Sequence, residues 1–134
     1  MKFFYDWLTG SFSNKELDKN LPDSDIPERI LRKIRKTVAY SKYVMVATQA
    51  EAIEATKDLT VIVIIGTKTN PKWLLLNCPC GCNELLRINL SPAMRLAWRI
   101  NFISDDTLSL YPSVDLESGC KAHFILRANK ALML

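Results

Sequence analysis

All four cysteines and the single histidine of this 134-residue chain fall in two short segments. One is Cys78-Pro79-Cys80-Gly81-Cys82; the other is Gly119-Cys120-Lys121-Ala122-His123-Phe124. Zinc takes thiolate and imidazole donors in tetrahedral sets, often as two short pairs brought together by the fold. Cys78 and Cys82 have three residues between them, and Cys120 and His123 have two; both spacings suit chelation. In an extended strand Cys78, Cys80 and Cys82 would share one face. Pro79 and Gly81 favour instead a turn whose backbone wraps an ion. Thiols this close are also oxidation-prone without a metal. The two segments therefore predict a bound zinc.

The spacing leaves the ligand set open, because five donors compete for four positions. Either His123 ligates and one of the first three cysteines is spare, or Cys78, Cys80, Cys82 and Cys120 ligate together and leave His123 over. A four-thiolate zinc is closed and electron-rich, so it is structural, and His123 would then be available as a general base. Other metal chemistries fit less well. A Rieske cluster needs two histidines. A zinc deaminase needs a His-x-Glu motif, which is missing, and a Pro-Cys-x-x-Cys motif, of which Pro79-Cys80-Gly81-Cys82 is one residue short. Neither an HExxH motif nor a phosphate-binding glycine loop is present.

Ser113 precedes His123 by ten positions, within Leu108-Ser109-Leu110-Tyr111-Pro112-Ser113-Val114. It can approach His123 if the chain reverses near Ser118-Gly119. A serine hydroxyl becomes a nucleophile only with a base in hydrogen-bond reach, and a third group that orients the base helps. Asp115 and Glu117 are nearby carboxylates, and the spacing assigns neither. By spacing alone, Ser113 reads first as a turn serine after a proline.

The elements that must position these residues show in the hydrophobic pattern. Asp25 with Glu28 is a capping pattern, and Ile26, Ile30, Leu31, Ile34 and Val38 keep helical spacing from Pro27 onward. The opposite face of that predicted helix, residues 28–36, carries Arg29, Arg32, Lys33, Arg35 and Lys36. Tyr43 to Ala47 reads as a strand. Thr48 with Glu51 opens a second helix to about Lys57. Leu59 to Ile65, rich in β-branched residues and bounded by Gly66, reads as a buried strand. Asn70-Pro71 marks a turn, and Trp73 to Leu76 runs as a strand into the first cysteine segment. Glu84 to Leu90 alternates as a half-buried strand. Met94 to Phe102, Thr107 to Leu110 and His123 to Leu126 are further short strands.

The expected fold class is α+β. A mostly antiparallel C-terminal half is organised around a zinc site, and one or two helices lie in the N-terminal half. The length fits a single domain, 1–134. It divides into an irregular lead-in at 1–25, a helix and strand segment at 26–70 and a Cys/His β core at 71–134. An aromatic patch in the lead-in (Phe3, Phe4, Tyr5, Trp7) is expected to dock on the body.

The composition is that of a soluble globular chain, 49% hydrophobic and 24% charged. The net charge of +4 is shared evenly between the halves, so no basic tail points to nucleic acid. The longest apolar run, Leu59 to Ile65, is far short of the roughly twenty residues of a membrane span. The start, MKFFYDWLTG, lacks the regions of a signal peptide. A cytoplasmic protein is expected, in which clustered cysteines bind metal rather than pair.

The ordered set CPCGC, LSLYPSV and GCKAHFIL resembles a family of small bacterial proteins long catalogued as a domain of unknown function. That family is marked by a CPCGC knot, a Leu-x-Pro-Ser segment and a Gly-Cys-x-x-His-Phe segment. The resemblance covers roughly residues 72–132. Some members are encoded beside homologues of ubiquitin-activating and ubiquitin-conjugating enzymes and ubiquitin-like proteins. There the family is implicated as the peptidase that trims or removes the ubiquitin-like protein, with a serine-type activity proposed. Carried over, the resemblance makes Ser113 the nucleophile and His123 the base, with Cys78, Cys80, Cys82 and Cys120 as metal ligands. It implies zinc as a supporting ion and a ubiquitin-like protein or its conjugates as partner, with activating or conjugating enzyme homologues nearby. Backbone amides around Gly119 or Gly81 are the expected oxyanion donors, and the basic helix 28–36 the expected dock for the substrate. One departure stands after Phe124, where the family's glycine-bearing turn is replaced by Arg127-Ala128-Asn129-Lys130. Two other readings compete: a zinc metallohydrolase with His123 among three ligands, and a non-enzymatic zinc module for protein interaction.

Overall fold

The computed structural model describes residues 26–91, 97–117 and 119–134. The lead-in aromatic patch, Asp25 and Met94 lie outside these residues. The chain runs through α1 (Glu28–Leu31), β1 (Lys36–Ala39), β2 (Lys42–Val46), α2 (Gln49–Ala55), β3 (Val61–Gly66), β4 (Pro71–Asn77) and β5 (Leu85–Asn89). It continues with β6 (Arg99–Phe102), β7 (Leu108–Tyr111), β8 (Val114–Asp115), β9 (His123–Arg127) and β10 (Lys130–Met133). The expected α+β class is what the structure has: two short helices and sheets that are mostly antiparallel.

The first sheet has the order β2-β3-β4-β5. β2 and β3 are parallel, and α2 makes the crossover between them. α2 starts where Thr48 and Glu51 form a reciprocal capping box: the Glu51 amide donates to Thr48 Oγ1 and the Thr48 amide to Glu51 Oε1. β3 is covered on both faces, which is why its sequence is an unbroken apolar run. Val61 and Val63 pack with Ala52 of α2, and Ile62 and Ile64 enter the main core.

The second sheet has the order β1-β10-β9-β8, all antiparallel. A separate ribbon pairs β6 with β7. The main core draws Ile64 and Leu74 from the first sheet, Leu108 and Leu110 from the ribbon, and Phe124 and Leu126 from the second sheet.

The predicted helix over 28–36 shrinks to the single turn of α1. Ile26 and Ile30 bury against Ile125, but Val38 belongs to β1 and packs on the other core. Strand pairing with β10 wins over helical spacing here because β10 offers β1 a complete ladder partner. The five basic residues are therefore split between a helical turn, its exit and a strand, and form no single helical face. Arg32 pairs with Glu28 at 3.0 Å, and Arg35 Nη2 donates to Leu134 O at 2.9 Å.

The turn that departs from the family pattern joins β9 to β10. Ala128 and Asn129 both have positive φ, 49° and 63°, the backbone of a two-residue hairpin turn that matches strand twist. Asn129 suits it and does more. Its Oδ1 accepts from the Leu108 amide at 2.9 Å and its Nδ2 donates to Asp106 O at 2.7 Å, which ties the hairpin to the ribbon.

Candidate functional site

The loop after β4 and the turn before β9 bring all four cysteines together. Residues 78–84 close on themselves, with the Cys78 amide on Glu84 O at 2.8 Å and the Gly81 amide on Cys78 O at 3.2 Å. Left-handed backbone at Gly81 and Asn83 in one loop, and at Gly119 and Lys121 in the other, curls each chain inward. The four Sγ atoms lie within 4.8 Å of one another. Cys78 Sγ is 3.4 Å from Cys80 Sγ and 3.6 Å from Cys120 Sγ. Four sulfurs on one zinc at about 2.3 Å stand about 3.8 Å apart, so the spacing is that of a thiolate set. These four close cysteines can hold a metal ion; His123 is not part of the group.

Backbone amides prepare the sulfurs for negative charge. The Cys80 amide bonds the Cys78 sulfur, the Cys82 amide that of Cys80, and the Ala122 amide that of Cys120, each lowering its thiol pKa. Burial nevertheless pushes the Cys78 and Cys120 thiols up. At Cys80 burial also raises, but bonds from the Cys120, Cys82 and Cys78 thiols outweigh it and bring the group down to about 7. The set thus readily carries a thiolate near neutral pH. Beside it, Tyr40 donates its hydroxyl to Asn77 O at 2.6 Å. Burial first, then the neighbouring Cys78 and Cys80, hold that phenol well above its ordinary pKa, so it stays a donor.

The second cysteine turn leads into β9, and its far side carries the serine segment. β8 and β9 pair through Val114↔Phe124 and Asp115↔His123. Val114 and Phe124 are fully buried in the main core. Strand alternation then assigns Asp115 and His123 to the opposite face of the ladder, with Ser113 at the alternate position before Asp115. Ser113 is fully buried. Its Oγ has no hydrogen-bond partner among the described residues. Burial lowers the His123 pKa, and Asp115 works the other way by favouring the imidazolium. Burial prevails, so the ring is neutral at pH 7.

The register separates the two carboxylates that spacing left unassigned. Asp115 stands opposite His123. Glu117 lies beyond the ladder. The cross-strand pairing that separates them is invisible in the sequence, since β8 is two residues long. Gly81, one of the two expected oxyanion donors, has its amide engaged inside the cysteine loop.

A small α+β protein in which four cysteines converge on the turn before a histidine, itself paired across a short ladder with an aspartate, is what fold and site define. Its sequence matches the family model described as bacterial ubiquitination-like system serine protease (BubE) over residues 46–134. The chain belongs to that family. The match starts at the end of β2 and so includes α2 and the whole first-sheet strand pair that delivers the cysteine loop, a longer reach than the CPCGC, Pro-Ser and Gly-Cys-x-x-His-Phe segments alone indicate. No curated protein and no solved structure matches the chain.

Metal analysis of protein purified without chelator should find about one zinc per chain, as one four-thiolate site requires. Cys78→Ser should retain a small fraction of that and unfold at a clearly lower temperature, because the ion's binding energy is folding energy.

Proposed function

We propose that this chain is a serine peptidase that processes or removes a ubiquitin-like protein in a bacterial ubiquitination-like system, with zinc held by Cys78, Cys80, Cys82 and Cys120. The family supplies the coarse reading, a serine protease of such a system. The observation that carries the residue assignment is the Ser113 hydroxyl, fully buried and without a hydrogen-bond partner among the described residues. A buried unpartnered hydroxyl costs on the order of 1–3 kcal/mol. A serine kept only for structure would be bonded, as Ser109 is, accepting from the Ala128 amide at 2.8 Å. An orphan retained one strand away from a neutral histidine has a use beyond packing.

In this reading Ser113 Oγ attacks the carbonyl carbon at the C-terminal end of the ubiquitin-like protein, at a peptide or ester bond. His123 takes the hydroxyl proton as the tetrahedral adduct forms. When the adduct collapses, His123 returns that proton to the leaving amine or alcohol, and the ubiquitin-like acyl group remains on Ser113. Water then attacks the acyl-enzyme with His123 again as base, which frees the carboxylate and restores the serine. Asp115 orients the ring and stabilises its transient charge. The hydroxyl is out of reach of solvent in this structure, so acylation requires the site to open to the substrate. Zinc held by Cys78, Cys80, Cys82 and Cys120 would supply structural fastening. The cytoplasm, where ubiquitin-like proteins meet their activating and conjugating enzyme homologues, is the proposed setting; neither a membrane nor nucleic acid enters it. Among the described residues no helix is long and apolar enough to cross a membrane.

Ser113→Ala should abolish release of a C-terminal extension from the system's ubiquitin-like protein while leaving zinc content unchanged. It should also raise the melting temperature or leave it level, because the orphan hydroxyl is gone. Retained cleavage, or a marked loss of stability, contradicts the assignment. The pH profile tests the base. Because burial holds the His123 pKa below its ordinary value of about 6.5, kcat should fall with acid only below that pH. The linked stability runs the same way: it is full above the unfolded-state pKa and declines as pH drops through the lowered one. Asp115→Asn removes the influence that raises the pKa, so the acid limb should move to still lower pH, with kcat reduced about 10²–10⁴-fold.

A further inference from the structure

The serine segment is held from behind by a side chain that neither motif contains. Trp98 stands immediately before β6 and is 5% exposed. Its indole Nε1–H donates to the carbonyl oxygen of Ser113 at 3.1 Å, across fifteen positions of sequence, and the bond is buried. The Trp98 backbone is itself anchored, its amide on Asn89 O at 2.8 Å at the end of β5. The path from the first sheet to the serine is therefore two hydrogen bonds long: Asn89 fixes Trp98, and Trp98 fixes Ser113.

We infer that Trp98 is a positioning residue for the Ser113 nucleophile, an inference that rests on the serine reading above. The peptide plane that Trp98 grips contains the Ser113 carbonyl and Cα, so it restrains the backbone from which Oγ projects. With the backbone pinned, only rotation about Cα–Cβ remains to aim Oγ. Among the described residues no hydrogen bond holds Oγ itself, so its aim depends on the backbone beneath it. The other end of the segment is held in the same manner: Arg127 Nη1 donates to Leu110 O at 2.6 Å, with its guanidinium 3.9 Å from the centre of the Tyr111 ring. Buried donors from other strands thus grip residues 110 and 113 from outside. Phenylalanine in place of Trp98 fills much of the same space but has no N–H. It leaves the carbonyl without this donor, and a nucleophile displaced by about 1 Å loses on the order of 10²-fold in rate.

The test compares wild type, Trp98→Phe and Ser113→Ala on release of a C-terminal extension from the ubiquitin-like protein, well below each melting temperature. Trp98→Phe should lower kcat about 10- to 100-fold with KM and zinc content unchanged. A second readout uses unaltered protein. The Trp98 indole resonance, one of three from Trp7, Trp73 and Trp98 and assigned by elimination with Trp7→Phe and Trp73→Phe, should shift when a fluorophosphonate occupies Ser113. If Ser113→Ala cleaves like wild type, the serine reading fails and this inference with it. If Ser113 proves essential but Trp98→Phe keeps wild-type kcat, or the indole resonance stays still on modification, Trp98 is a packing residue and the inference alone is overturned. Should Trp98→Phe fail to fold, the resonance decides.

Discussion

The pairing of β8 with β9 is the contact on which the site depends. It is two residues long, Val114↔Phe124 and Asp115↔His123. One pair is buried in the core and the other sets a carboxylate against the histidine. A ladder this short has little strength of its own, since isolated two-stranded pairing is marginal in water. Its stability comes from what flanks it. On the core side Val114 and Phe124 are fully buried. Beyond the far end, the Leu116 amide bonds Ala122 O at 2.9 Å and closes the connecting loop. Cys120, inside that loop, is tied to the cysteine loop of the first sheet, its sulfur 3.6 Å from that of Cys78.

In the proposed reading, this arrangement explains why four converging thiols and a serine–histidine pair share one small protein. The chain between Ser113 and His123 must reverse direction without a long hairpin to guide it. A four-thiolate ion would fix that reversal against a second sheet, three residues before the histidine. In that reading the cluster is a fastening, and the chemistry belongs to Ser113 just before the ladder and His123 on it. The division is consistent with the donor set. All four converging atoms are sulfur, and the histidine lies outside the group.

The chemically specific elements were the most legible in the sequence. The cysteine spacing announced a cluster, and the buried strand at β3, the alternation of β5 and the Thr48–Glu51 box were all readable from local pattern. What escaped was set by partners distant in the chain. β1 carries Val38 at helical spacing from Ile30, and only its partner β10 makes it a strand. β8 and β10 are too short to show a period. Ser113 read as a turn serine because its burial and unmet hydrogen bond are properties of the fold. That Asp115 stands opposite His123 shows only in the register, and Trp98 meets the Ser113 carbonyl across fifteen positions of chain. Local rules therefore picked out the cysteines and the histidine, while non-local pairing set what stands beside them.

The most direct test of the account is whether Ser113 is an activated nucleophile. Natively purified, zinc-loaded protein would be treated with a fluorophosphonate, with and without the ubiquitin-like protein, and the adduct located by peptide mass spectrometry. The account predicts one dominant adduct, on Ser113, lost in His123→Ala. A folded protein that carries no adduct on Ser113 in either condition, or one whose adduct survives His123→Ala, would contradict it.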